Sequence, residues 1–104
     1  MEQNKPDYEV VFGRLGRDPE LKYTKNDNPI CLLSLAINNS ERKETTWKKV
    51  VVWGKQAEMC KNQLKKGSEL FVRGRNQIRD FVDVNGEPKA VEEISAHLVG
   101  FSNI

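Results

Sequence analysis

Cysteine and histidine are scarce in this chain: Cys31, Cys60 and His97 are the only residues of either type. Their spacing fits no zinc motif, so no metal is expected. Two cysteines in a chain without a secretory leader read as buried thiols. No apolar run approaches the roughly 20 residues that a membrane span needs. The first residues, Met1 to Glu9, lack the apolar stretch of a signal peptide. A cytoplasmic, nucleoid-associated location without membrane contact is the expectation. No nucleophile–base pair and no phosphate-cradling loop is legible, so neither an enzymatic activity nor a cofactor is expected. A hydrolase pair of Cys60 with His97 has no supporting signature. Internal repeats and low-complexity tracts are also missing. At 104 residues the chain is long enough for one core and too short for two. The organisation expected is a flexible N-terminus over 1–7 and a single domain over 8–104.

No charge of one sign dominates; the net charge is only +2. Its distribution is more informative. Arg42, Lys43, Lys48, Lys49, Lys55, Lys61, Lys65 and Lys66 cluster in the middle of the chain, whereas Lys89 is the one basic residue from Asp80 onward. The electropositive middle also carries both tryptophans.

Those tryptophans sit in Thr46-Trp47-Lys48-Lys49-Val50-Val51-Val52-Trp53-Gly54, a strand by its valine and tryptophan content. Side chains on a strand alternate between faces. Trp47, Lys49, Val51 and Trp53 therefore share one face. A single strand tryptophan is more often core than platform. Two on one face, with an ammonium between them, suit the stacking of unpaired bases and the neutralising of their phosphates.

Tyr8 to Gly16 reads as a strand, with Gly13 and Gly16 marking a bend. Asp18-Pro19-Glu20 and Asn26-Asp27-Asn28-Pro29 read as turns. Ile30 to Asn39 is a second strand, with Cys31, Leu33, Leu35 and Ile37 facing a core and the smaller Ser34 and Ala36 facing out. Ser40 to Thr45 connects it to the tryptophan strand. Ala57, Cys60 and Leu64 form the stripe of a helix, with Lys65 and Lys66 in its last turn and Gly67 after it. Ser68 to Arg79 is a fourth strand. Its parity puts Phe71, Arg73, Arg75, Gln77 and Arg79 outside, followed by Phe81, and Leu70, Val72, Gly74 and Ile78 inside. Asn85-Gly86 marks a hairpin. Lys89 to Phe101 is the fifth strand, with Ala90, Ile94, Ala96 and Leu98 on one face. Alternating cations on a strand also guard edges, and that use or a place in a subunit interface competes for Lys48, Arg73 and Arg75. The fold class expected is all-β: a five-stranded OB-fold barrel of Greek-key type, with one helix between strands 3 and 4.

The motifs carry a family resemblance. Gly13-Arg14-Leu15-Gly16-Arg17-Asp18-Pro19-Glu20-Leu21-Lys22-Tyr23 looks like the first strand and turn of bacterial-type single-stranded DNA-binding proteins. Thr46 to Lys55 resembles their third strand, and Leu64 to Gly74 their helix end and fourth strand. The resemblance runs from about Tyr8 to Phe101. It implies sequence-independent binding and protection of single-stranded DNA in replication, recombination and repair. The implied assembly is a homo-oligomer, normally a tetramer. It also implies base stacking at Trp47, Trp53 and Phe81, and phosphate contacts at Lys49, Lys55, Lys66 and Arg79, with Arg14 and Lys22 near the path. Arg73 and Arg75 join the phosphate set from strand parity.

Three departures from the family pattern stand out. The connector at Ser40–Thr45 is short and lacks an aromatic often found there. Gln77 and Asp80 replace common cations. The chain stops at Ile104, where the family usually continues into a flexible linker and an acidic tip, so tail-mediated replication partners are not expected. A primosome-type OB-fold adaptor, dimeric and weaker on DNA, and an RNA-binding OB module are the alternatives.

Overall fold

The computed structural model describes residues 8–39 and 44–101. The expected flexible N-terminus and most of the Ser40–Thr45 connector lie outside them. The elements are β1 (Tyr8–Leu15), β2 (Glu20–Tyr23), β3 (Pro29–Asn39), β4 (Glu44–Trp53), α1 (Lys55–Gln63), β5 (Glu69–Val82) and β6 (Pro88–Phe101). The sheet runs β1-β5-β6-β4-β3-β2, and an added β1–β3 pairing closes five of its strands into a ring. All neighbours are antiparallel except β4 and β6. The five long strands and the helix between β4 and β5 bear out the expected all-β OB architecture.

Alternation accounts for the core. Cys31, Leu33 and Leu35 from β3, Val50 and Val52 from β4, and Leu70 and Val72 from β5 are buried together. Each fully buried aliphatic side chain contributes about 1.5–3 kcal/mol. The α1 stripe of Ala57, Cys60 and Leu64 joins the same cluster. Gly54, with φ of 72°, turns β4 into this helix, a left-handed conformation that glycine adopts without a Cβ penalty. At Gly13 a Cβ would meet the Ala36 carbonyl and the Leu35 side chain. That close approach lets β1 leave β5 and pair with β3 at Arg14 and Leu15.

Four details differ from the sequence-based expectation. First, Glu20–Tyr23 is a short strand on the outer edge of β3 rather than part of a turn. Its Leu21 packs against the core. Second, α1 ends at Gln63, and Leu64 is extended, so Lys65 and Lys66 lie beyond the last turn. Asp18 Oδ1 accepts the Lys66 backbone N–H at 2.8 Å.

Third, Leu98 faces out and Val99 faces in. Gly74 pairs with Ala96 and Arg73 with Leu98, leaving His97 unopposed in a bulge. One inserted residue reverses every face beyond it. The Gln56 side chain of α1 holds the bulge, donating to the His97 carbonyl at 3.0 Å and accepting from the Val99 N–H at 3.1 Å. Fourth, Ile78 is 69% exposed, not core. Beyond Asn76, β5 and β6 leave the ring as a two-stranded arm, so inward parity no longer means burial. The arm ends at Asn85-Gly86, where Gly86 has φ of 80° and donates its N–H to the Asp83 carbonyl at 3.0 Å.

Burial pushes the Cys60 thiol up to about 12 from an ordinary 9.0, and it also raises Cys31. A thiol is a nucleophile only as thiolate. Both cysteines should resist iodoacetamide at pH 8 in the native protein and react in urea, as mass spectrometry will record. Above pH 9 the unfolded chain releases the Cys60 proton that the folded chain keeps. That group's contribution to stability therefore declines between pH 9 and 12.

Candidate nucleic-acid interface

The register of the sheet builds the outward face rung by rung. Trp53 of β4 lies opposite Ile30 of β3, and Ile30 lies opposite Lys22 of β2. Val51, Leu32 and Glu20 form the next rung, followed by Lys49 and Ser34. Trp47 lies opposite Ala36, and Ala36 lies opposite Arg14 of β1. Side chains on one rung share a face. The expected alternation therefore places Trp47, Lys49 and Trp53 together, with Lys22 and Arg14 at the two ends. Trp47 is 59% and Trp53 48% exposed. Val51, on the same face, is buried between Leu32 and Ser95. It forms an apolar floor between the rings.

The small outward residues of β3 leave a depression in this face. A groove of about 370 Å3 is lined by Gly16, Ser34, Trp47, Lys49, Val91 and Glu92, among others. The Trp47 ring lies against the backbone at Gly16, where a Cβ would overlap its six-membered ring. Gly16 donates its N–H to the Ser34 carbonyl at 3.0 Å, which fixes that backbone under the ring. The glycine is needed here as a seat rather than for unusual dihedrals.

The helix and its flanking loops add cations at one edge. Lys55 is exposed at the first turn of α1, directly after Trp53 and Gly54. Lys66 is exposed in the loop after α1. Lys61 Nζ donates to the Pro19 carbonyl at 3.0 Å, and this bond ties α1 to the β1–β2 turn.

Phe81 and Arg79 sit on the β5–β6 arm with outward parity. Arg79 lies opposite Val91, which itself lines the Trp47 groove. The Arg79 guanidinium is 5.6 Å from the centre of the Phe81 ring. Arg73 and Arg75 are placed elsewhere. They surround Tyr8, at 5.4 and 6.0 Å from its ring centre, on the β1–β5 side of the ring. His97 meets the same tyrosine edge-on at 4.9 Å. The two arginines and the two tryptophans thus look outward from different sides of the molecule.

Several cations already have acidic neighbours, which sequence spacing did not reveal. Arg14 pairs with Glu69, Lys22 with Glu20 at 3.5 Å, and Lys48 with Glu9 at 3.5 Å. Arg79 pairs with Glu93 at 3.1 Å, and the carboxylate raises the guanidinium's pKa still further above its usual value. The exposed pairs at Arg14 and Lys22 are worth about 0–1 kcal/mol each, whereas the Glu93 carboxylate is buried. Lys48 has the parity of Val50 and Val52, pairs with Glu9 of β1, and also lines the groove beside Trp47.

A Gly16→Ala substitution should lift the Trp47 ring from its seat at little cost to the fold. In a Trp53→Phe background the expected result is a red-shifted tryptophan emission, with a melting temperature within a few degrees of the parent.

The sequence matches the family model of the single-strand binding protein family over residues 9–102. That match spans all seven elements, from the ring-closing β1 to the end of β6. With the helix-capped ring and the outward tryptophan face, it assigns the chain: it belongs to the single-strand binding protein family.

Proposed function

We propose that this protein binds and protects single-stranded DNA without sequence preference, in the context of replication, recombination and repair. The observation that carries this reading is the exposed face on which Trp47, Lys49 and Trp53 alternate, flanked on the same rungs by Lys22 and Arg14. Bases stack on Trp47 and Trp53, and on Phe81 where the arm continues the surface. Lys49, Lys55, Lys66, Lys22 and Arg14 take phosphates. Arg73 and Arg75 lie on the β1–β5 side. There Arg73 stands between Val10 and Leu98 at the edge of the proposed subunit interface, and both reach phosphate only where that interface leaves them open. Every base has a π-face, so stacking tolerates any sequence. Family membership supports the ligand class.

The assembly proposed is a homo-oligomer, with a tetramer as the leading state. Support comes from an apolar surface on β1, β5 and β6 that adjoins the Trp47 rung at Arg14 and Ala36. Phe12 is 70% exposed, its ring 5.8 Å from that of Phe71, with Val10 and Leu98 exposed beside them. A groove of about 660 Å3 runs past Phe12, Leu70, Phe71, Gly100 and Phe101. Contiguous apolar surface of this kind marks an interface. The pairing of Arg14, Lys22 and Arg79 with carboxylates favours a second reading, a primosome-type adaptor that is dimeric and binds DNA weakly.

Oligo-dT should quench the tryptophan emission. Log affinity should fall with log salt by about 0.7 for each phosphate contacted. Trp47→Ala should cost about 1–3 kcal/mol of binding. Absence of quenching at low salt would sink the reading. Sedimentation will report the assembly: a tetramer supports the DNA-coating reading, and a stable dimer supports the adaptor. Phe12→Glu should lower the mass in either case.

A further inference from the structure

The β5–β6 arm carries an arrangement that general DNA coating does not require. Glu93 is 4% exposed, the one buried charged residue among those described. Its outward parity places it on the nucleic-acid face, beside Ser95, which pairs with Val51 of β4. A carboxylate held this far from water must be paired. Arg79 donates from Nε to Oε1 at 3.1 Å and from Nη2 to Oε2 at 3.3 Å, and Gln77 Nε2 donates to Oε1 at 3.4 Å.

A phosphate contact calls for a mobile cation with free donors and uncompensated charge. Arg79 keeps three of its five N–H donors, but its charge is matched, two of its nitrogens are engaged by Glu93, and its guanidinium carbon lies 5.6 Å from the centre of the Phe81 ring. A planar, weakly hydrated guanidinium resting on an aromatic ring is itself a stacking surface. The arginine side chain remains about half exposed, so its outer face is open to a ligand.

We propose that Glu93 is a positioning residue for nucleic-acid binding: it withholds Arg79 from phosphate and fixes the guanidinium as the outer layer of a stacking platform built on Phe81. A base on the arm then meets Arg79 rather than a bare ring, and this stretch of the path adds nothing to the salt dependence. The proposal rests on the single-stranded DNA reading above. It assigns to bases an arginine that the family resemblance alone would set against phosphate.

The test is a salt titration of oligo-dT binding, followed by tryptophan emission, for the wild type and three variants. Arg79→Lys keeps the charge and loses the plane, so affinity should fall roughly tenfold, a loss within the range of one stacking contact. Glu93→Gln frees Arg79 to reach phosphate, so the slope of log affinity against log salt should steepen by about 0.7. Replacing Arg79 by Ala as well as Glu93 by Gln should return the slope to that of the wild type. Arg79→Lys binding as tightly as the wild type would overturn the proposal. A Glu93→Gln slope equal to the wild-type slope would also overturn it, as would a steep slope retained in the double variant. If Glu93→Gln fails to fold in a melting scan, Arg79→Lys alone decides. Failure of the wild type to bind oligo-dT removes the DNA reading itself, a result distinct from all of these.

Discussion

β1 pairs with β5 from Tyr8 to Arg14 and, at its end, with β3 at Arg14 and Leu15. This double pairing closes the ring, and the rest of the molecule depends on it. Once the ring is closed, half of each strand's side chains are committed to one interior too small to admit anything else. The outward half is left to meet the surroundings. Gly13 permits the crossover by letting the Ala36 carbonyl come close. Three residues later, Gly16 seats the Trp47 ring. One short glycine-bearing stretch therefore closes the core and sets the position of a principal aromatic on the opposite surface.

The electrostatics follow a different logic from the packing. The chain is nearly neutral, and many of its cations on strands stand next to carboxylates. Such pairs hold side chains in place without strong net attraction. The carboxylates paired with Arg14 and Lys22 are exposed, whereas Glu93 is buried. Lys49, Lys55 and Lys66 take part in no ion pair among the described residues. Among the same residues Arg73 and Arg75 are likewise in no ion pair, so unmatched positive charge stands both beside the tryptophans and on the β1–β5 side.

Much of this was legible in the amino-acid order. Period-two alternation in Cys31–Ile37 and in Trp47–Trp53 identified both inner and outer faces, because strands that wall a single core cannot deviate from it. The Asn85-Gly86 turn and the helix stripe were equally plain. What was hidden had non-local causes. The bulge at His97 reverses the faces of Leu98 and Val99, and it exists because Gln56, on a helix forty residues away, offers both an amide donor and an amide acceptor. Ile78 reads as core until the arm is seen to leave the ring. The strand at Glu20–Tyr23 is short, but its alternating Leu21 was a usable signal. The ion pair of Arg79 with Glu93 depends on the register of a long hairpin, which composition does not encode.

The distance between the two tryptophans has a further consequence. They are six residues apart on one strand, at most about 20 Å at the usual rise of roughly 3.3 Å per residue. Bases stacked on one another in a nucleic-acid strand advance about 3.4 Å each. A strand that keeps its own helical stack would spend about six nucleotides on that distance and present its edges, not its faces, to the rings. To lie flat on both, it must part from its neighbours at each ring and stretch between them. On the stacking proposed above, the gap in β4 would reward a pulled-out strand over a coiled one.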